Sequence, residues 1–174
     1  MTKIVLLFMV GCYANAVSIE MPNSFKANFI QKVTNPKNKV LNYSGNVSFS
    51  DSTLLKWVYT KPTKKEVCTN GKELTVVDHD LEQASHYRIN KGFDFAKILK
   101  SATLYKDNIY VTNYENKKYT IKIDKKKQLH SIAYFDNLDN KVQIKFEHVK
   151  YSKDSLSQKE MNCTIPKAYD IIKG

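Results

Sequence analysis

The chain lacks any apolar run long enough to cross a bilayer as a helix. Its longest, Ile4 to Val10, has seven residues, against the roughly 18 or more that a spanning helix needs. It has no Gly-x-Ser-x-Gly elbow, no His-Glu-x-x-His pair and no phosphate-cradling glycine loop, which removes the usual signatures of serine hydrolases, zinc proteases and nucleotide sites. Its four histidines are scattered. His79 lies between Asp78 and Asp80, but adjacent residues in a turn point apart and no second His stands at ligand spacing. No catalytic residue, metal ligand or cofactor is expected. Arginine is nearly missing as well: Arg88 is the only one among 28 basic residues, leaving little for bidentate phosphate recognition. No internal repeat, Gly/Ser linker or low-complexity tract marks a second domain.

What is present begins with an export signal. Lys3 supplies a positive start, Ile4 to Val10 the apolar stretch, and Ala14-Asn15-Ala16 a small-x-small cleavage site. Residues 1–16 are read as a cleaved signal peptide and 17–174 as a single domain, large enough for a sizeable core. Met9-Val10-Gly11-Cys12 also loosely matches a lipoprotein processing site, which would make Cys12 an acylated anchor. Without residues 1–16, 27 basic residues face 17 acidic ones, a net +10. That balance favours anionic lipid headgroups or an acidic partner protein, and export takes the chain away from nucleic acid; a lysine face that only keeps the protein soluble is the alternative. Cys68 and Cys163 remain, in a compartment where disulfides form. Bridged, they close a loop of about 95 residues; otherwise they are two buried thiols.

Alternation predicts a mostly β chain of about ten strands. Phe25, Ala27, Phe29 and Gln31 share one face of the first, which ends at Asn35-Pro36. Leu41 to Phe49, Leu54 to Tyr59 and Glu66 to Thr69 follow; Asn70-Gly71 suggests a type I′ hairpin into Lys72 to Val77. After Leu81 to Ile89 the period changes. Phe95, Ile98, Leu99 and Ala102 are spaced as one face of a short helix with Asp94 near its start. Ile109 to Tyr114, Lys118 to Asp124, Gln128 to Phe135 and Lys141 to Val149 then form a meander, and a last strand is expected near Met161 to Ile165.

Four signatures occur in order: Phe25-Lys26-Ala27-Asn28-Phe29-Ile30-Gln31, Trp57-Val58-Tyr59-Thr60-Lys61-Pro62, Asn70-Gly71-Lys72-Glu73-Leu74 and Leu81-Glu82-Gln83. With the closing Ile165-Pro166-Lys167-Ala168-Tyr169-Asp170-Ile171-Ile172, the pattern resembles the periplasmic outer-membrane lipoprotein carrier family, LolA, from about Ser24 to Ile172. The resemblance implies an incomplete, half-open antiparallel β-barrel with a short helical lid over an apolar cavity. Its walls would come from Phe25, Ala27, Phe29, Leu55, Trp57 and Tyr59, and its lid contacts from Phe95, Ile98 and Leu99. It implies a monomeric, non-enzymatic periplasmic carrier that takes acylated lipoproteins from an inner-membrane releasing transporter to an outer-membrane receptor. A membrane-anchored receptor or envelope sensor of related fold, or a general binder of apolar ligands, are the other readings.

Three departures bear on mechanism. Asp51-Ser52 stands where the family places an Arg-Pro pair whose Arg latches the lid. Only Val17 to Asn23 precede the first strand, where a longer helix is usual, and Phe93-Asp94 replaces a Thr-Pro ahead of the lid helix. An easily opened cavity is expected.

Overall fold

Alternation decides the centre of the molecule. In β1 (Ser24–Thr34), Phe25, Ala27 and Phe29 are buried while Lys26, Asn28 and Ile30 are exposed, as a strand with one face on a core requires. The computed structural model describes residues 19–89 and 94–173; the signal segment, Cys12, Val17 and Phe93 lie outside them. Five strands follow β1: β2 (Val40–Ser50), β3 (Leu54–Lys61), β4 (Lys65–Thr69), β5 (Glu73–Asp78) and β6 (Gln83–Arg88). Next come helix α1 (Phe95–Lys100) and the meander β7 (Thr103–Lys106), β8 (Ile109–Tyr114), β9 (Lys117–Ile123), β10 (Leu129–Phe135) and β11 (Lys141–Ser152). The chain closes with α2 (Gln158–Met161) and β12 (Asp170–Lys173).

All twelve strands belong to one sheet, ordered β12-β6-β5-β4-β3-β2-β1-β11-β10-β9-β8-β7. Its ends, β12 and β7, do not pair, so the barrel is incomplete. Every pairing is antiparallel except β12 on β6. Gly45 lets β2 and β3 approach where their register shifts: a Cβ there would sit 1.9 Å from the Val58 carbonyl oxygen.

Three hairpin turns share one chemistry. The side-chain oxygens of Asn35, Asp124 and Asp136 each accept from the amides two and four residues on. The third residue after each (Asn38, Lys127, Asp139) is left-handed. These Asx turns fix the loops because the side chain replaces a backbone acceptor.

Four sequence expectations are revised. The strands number twelve rather than about ten, β7 and β12 being short edges. The strand expected at Met161 to Ile165 is absent: Ser157 and Glu160 form a reciprocal capping box that starts α2, and Asn162 and Cys163 follow as irregular chain. The last strand is β12, formed by the Asp170-Ile171-Ile172 phrase. The type I′ turn lies at Glu115-Asn116, both left-handed between paired Tyr114 and Lys117. Asn70-Gly71 does make a hairpin, but only Gly71 is left-handed, at φ +86°, and Asn70 Oδ1 accepts from Lys72 and Glu73.

The core fills one half of the concave face. Phe25 stacks on Phe49 at 5.4 Å between ring centroids, and Phe95 of α1 lies 5.8 Å from Phe25 and 5.7 Å from Phe49. Asp94 caps α1, accepting from the Lys97 amide at 2.8 Å, and Phe95, Ala96, Ile98 and Leu99 all face inward. Ala102, expected on the helix, is buried just beyond its end.

Candidate functional site

The other half of the concave face is hollow. A cavity of about 560 Å³ has β3 and β4 on one side and β8, β9 and β10 on the other. These strands are far apart in the sheet order, so only a strongly curled sheet lets them face one another. Trp57, Val67 and Ile144 form the apolar floor, and Tyr59, Tyr114, Tyr119 and Tyr134 ring it. Gln31 of β1 joins the wall, and Glu115, Lys117, Asp136, Asn137 and Leu138 line the hollow from in or beside the β8–β9 and β10–β11 turns, its rim. Leu138 is 76% exposed there.

The phenols are uncharged polar groups. Burial, with Tyr134 and Tyr43 nearby, drives the Tyr59 hydroxyl far above its ordinary value. Burial also pushes Tyr134 up to about 12, with Tyr119 and Asp136 adding to it. Tyr59 packs edge-on to Phe29 at 5.0 Å and donates to Gln31 Oε1 at 3.1 Å; Tyr119 and Tyr134 lie 5.1 Å apart. At the rim, desolvation pulls the Asp136 carboxyl upward, but hydrogen bonds from the Asn140 side chain and backbone and the Leu138 amide outweigh it and hold it below its usual range. The wall is thus apolar below, phenolic in the middle and mixed in charge above.

Of the nine residues the resemblance nominates, Trp57 and Tyr59 line this hollow. Phe25, Ala27, Leu55, Phe95, Ile98 and Leu99 are buried in the packed core, and Phe29 is buried behind Trp57 and Tyr59 at 4.8 and 5.0 Å, none of the seven more than 6% exposed. The sequence reading put Gln31 on the inward face of β1 without nominating it, and it did not nominate the other lining residues, Val67, Tyr114, Tyr119, Tyr134 and Ile144 among them. The signal available was alternation, which puts Tyr119 with Ile121 and Tyr134 with Ile132; nothing local says which half α1 fills.

A strap formed by the C-terminal segment crosses the convex face. Cys68 and Cys163 are bonded, with Cα atoms 5.7 Å apart. Lys56 pairs with Glu66 at 3.1 Å and donates to the Asn162 carbonyl at 2.7 Å; the Thr164 amide donates to Glu66 at 3.1 Å. His79 bridges Glu66 at 3.4 Å and the Tyr169 hydroxyl at 3.1 Å. Among the described residues, the one cluster close enough for a metal is Glu66, Cys68 and Cys163, and its two sulfurs are spent on each other. No described helix is long and apolar enough to cross a membrane.

An incomplete barrel whose concave face holds a short helix beside an aromatic hollow matches the expectation raised by the sequence signatures. The sequence model described as "Outer membrane lipoprotein carrier protein LolA" matches residues 20–159. The chain belongs to the LolA family. It is 33% identical over 151 residues to the outer-membrane lipoprotein carrier protein of Campylobacter jejuni, covering 87% of each chain. To the protein of the same name in Helicobacter hepaticus it is 29% identical over 171 residues, covering 98% of this chain and 95% of the relative. A crystal structure of an uncharacterised conserved protein from Thermus thermophilus superposes with a TM-score of 0.57 at 11% identity, over 88% of this chain and 91% of the other; that likeness speaks for the fold alone.

Against the LolA pattern, Asp51 does not take over the lid latch. It accepts from Ser50 at 2.8 Å and from Ser155, and those two hydroxyls hold its carboxyl low. It ties the β2–β3 turn to the strap rather than to α1. The lid is held instead at β8, where Ser101 and Thr112 hydroxyls meet at 2.9 Å and Lys97 lies 5.7 Å from the Tyr114 ring centre.

Proposed function

We propose that this chain is a periplasmic carrier that covers the acyl chains of lipid-modified proteins between two membranes, binding without making or breaking bonds. A phenol-lined apolar hollow beside a short packed helix carries this reading, and the names of its relatives support it. Each methylene kept from water contributes roughly 0.8 kcal/mol, so a chain of about sixteen carbons gains about 12 kcal/mol before ordering costs. A wholly apolar, close-fitting cavity would hold such cargo too tightly to release it. Neutral phenols and the rim carboxylates moderate that grip, because they keep part of the wall better matched to water than to hydrocarbon.

At roughly 30 Å³ per close-packed methylene, a hollow of about 560 Å³ takes about one acyl chain. Cargo with two or three chains needs more room, and the packed half supplies it when α1 lifts. Phe25, Ala27, Phe29 and Leu55 then become wall, and Phe95, Ile98 and Leu99 the inner side of the lid. In this reading the donor is an inner-membrane releasing transporter and the acceptor an outer-membrane receptor. The lysine-rich surface meets their acidic faces, and the carrier works as a monomer.

The test is release of labelled lipoprotein from spheroplasts that carry competent donor machinery. Soluble one-to-one complex should form with the wild-type chain and not with Trp57→Asp or Tyr134→Asp variants that keep the far-UV spectrum. Normal release by both variants would place the acyl site elsewhere.

A further inference from the structure

We propose that Gln31 is the residue that reads the carbonyl at the head of the bound acyl chain, making the site selective for ester- and amide-linked chains. The inference rests on the carrier reading. In the inner row of β1, Phe25, Ala27 and Phe29 are followed by a carboxamide where an apolar side chain would continue the pattern. The register sets Gln31 between Tyr43 of β2 and Ile144 of β11, in mid-sheet, half-buried in the cavity wall.

Its hydrogen bonding leaves one kind of group to offer. The neutral Tyr59 phenol donates to Gln31 Oε1 at 3.1 Å, which turns the carboxamide so that Nε2 faces away from Tyr59. That Nε2 has no acceptor among the described residues. An unpartnered N–H donor set among apolar and polar lining residues is matched by a neutral acceptor, and it loses its hydration uncompensated when a bare hydrocarbon covers it. The acyl groups of a lipid-modified cysteine carry such acceptors where chain meets head: ester carbonyls on the glyceryl group and an amide carbonyl on the nitrogen. Gln31 stands directly opposite Ile144 in the sheet, so a chain seated on Trp57, Val67 and Ile144 would bring this first carbonyl to its side.

The rim charges favour the same class. Glu115 and Asp136 face a single Lys117, so a free fatty acid would bring its carboxylate towards a surplus of negative charge, whereas an ester adds none. Gln31 and these carboxylates together separate lipoprotein from free fatty acid, which a wholly apolar pocket cannot do.

The experiment uses the full exported chain and two fluorescent lipopeptides that differ in one feature. One carries dipalmitoylglyceryl-cysteine, and the other its dihexadecyl ether counterpart, which lacks the carbonyls. Wild type should bind the ester about 5- to 10-fold more tightly, the loss set by one neutral hydrogen bond. Gln31→Leu should bind both equally by weakening the ester alone, and Tyr59→Phe, which frees the carboxamide to rotate, should reduce the preference part-way. Equal binding by wild type, or a preference that survives in Gln31→Leu, overturns the assignment while the carrier reading stands. A wild-type chain that binds neither lipopeptide overturns both.

Discussion

Replacing Phe95 by alanine separates a lid from a piece of fixed core. The ring is 3% exposed and rests on Phe25 and Phe49 at 5.8 and 5.7 Å. Truncating a buried Phe costs roughly 3–5 kcal/mol. A six-residue helix packed from one side can relax over the gap, so the lower end applies. If α1 opens as a unit, about 3 kcal/mol raises its opening constant roughly 150-fold. Hydrogen exchange reads this directly at the Ile98 and Ser101 amides, which bond to the Asp94 and Lys97 carbonyls at 2.9 and 3.0 Å. Both should exchange roughly 150-fold faster in the variant, while the β1 amides, pinned between β2 and β11, change far less. Where the open form is the one that admits cargo, the association rate of an acyl probe should rise with the opening population. Exchange that accelerates by the same factor in α1 and β1 would refute an independent lid, because α1 would then unfold only with the whole sheet.

Other expectations follow from the strap and the surface. Cys163→Ala releases a closed loop spanning 95 positions; chain entropy sets an upper bound of about 4.7 kcal/mol, and the melting temperature should fall by several degrees, as should that of wild type melted with reductant. A melt unchanged by either would mean that the strap is held without the bond. Glu160 is drawn down to about 2 by its hydrogen bond from Lys26 and then by those from Ser157. Its folded value is depressed, so its stabilisation is complete above the ordinary glutamate range and is lost as pH falls from about 4.5 toward 2. The stability gap between wild type and Glu160→Gln should therefore close over that window in acid titration, and a gap independent of pH would remove the ion pair from the account. Neutralising Lys125, Lys126 and Lys127 should spare cargo binding but weaken delivery at low salt; equal delivery across salt would leave them as solubilisers. The N-terminus of the exported protein should begin at Val17, and mass spectrometry showing an acylated Cys12 would instead favour an anchored receptor.

The central sheet was legible because its burial is one-sided. Phe25-x-Ala-x-Phe29 and Leu55-x-Trp57 alternate on strands with a wet outer face, and the Asx residues that close three of the hairpins are visible as Asn35-Pro36, Asp124 and Asp136. α1 was legible too, since four apolar positions at helical spacing have no strand interpretation. The tail was not. Met161 to Ile165 has strand-forming residues, but a four-residue capping box decides the local structure, and β12 exists only because β6 offers it an edge more than eighty residues away in sequence. The hollow was least visible of all. Which aromatic residues face empty space depends on where α1 comes to rest, and that contact joins β1, β2 and α1 across the fold. Gln31 shows how a single polar interruption in an apolar row can be read in sequence yet gain a meaning only when its hydrogen-bond partner is known.

Mechanically the barrel has two jaws of unequal stiffness. The strap is tied down in succession at Ser24 and Lys26 of β1, Ser50 of β2, Lys56 of β3, Cys68 of β4 and the β6 edge. It therefore behaves as a backing rib for one side of the sheet. Among the described residues the strap does not reach strands β7 to β10, which are held by their own ladders and turns and by α1 on β8. If cargo seats in the hollow as proposed and forces the concave face wider, the bending should fall on β7 to β10, moving Tyr114, Tyr119 and Tyr134 more than Trp57 and Val67 on the ribbed β3 and β4. On the proposed site, half of the surface would then be an anvil and half a spring, a division of stiffness that would let one carrier grip cargoes of different girth without rebuilding its core.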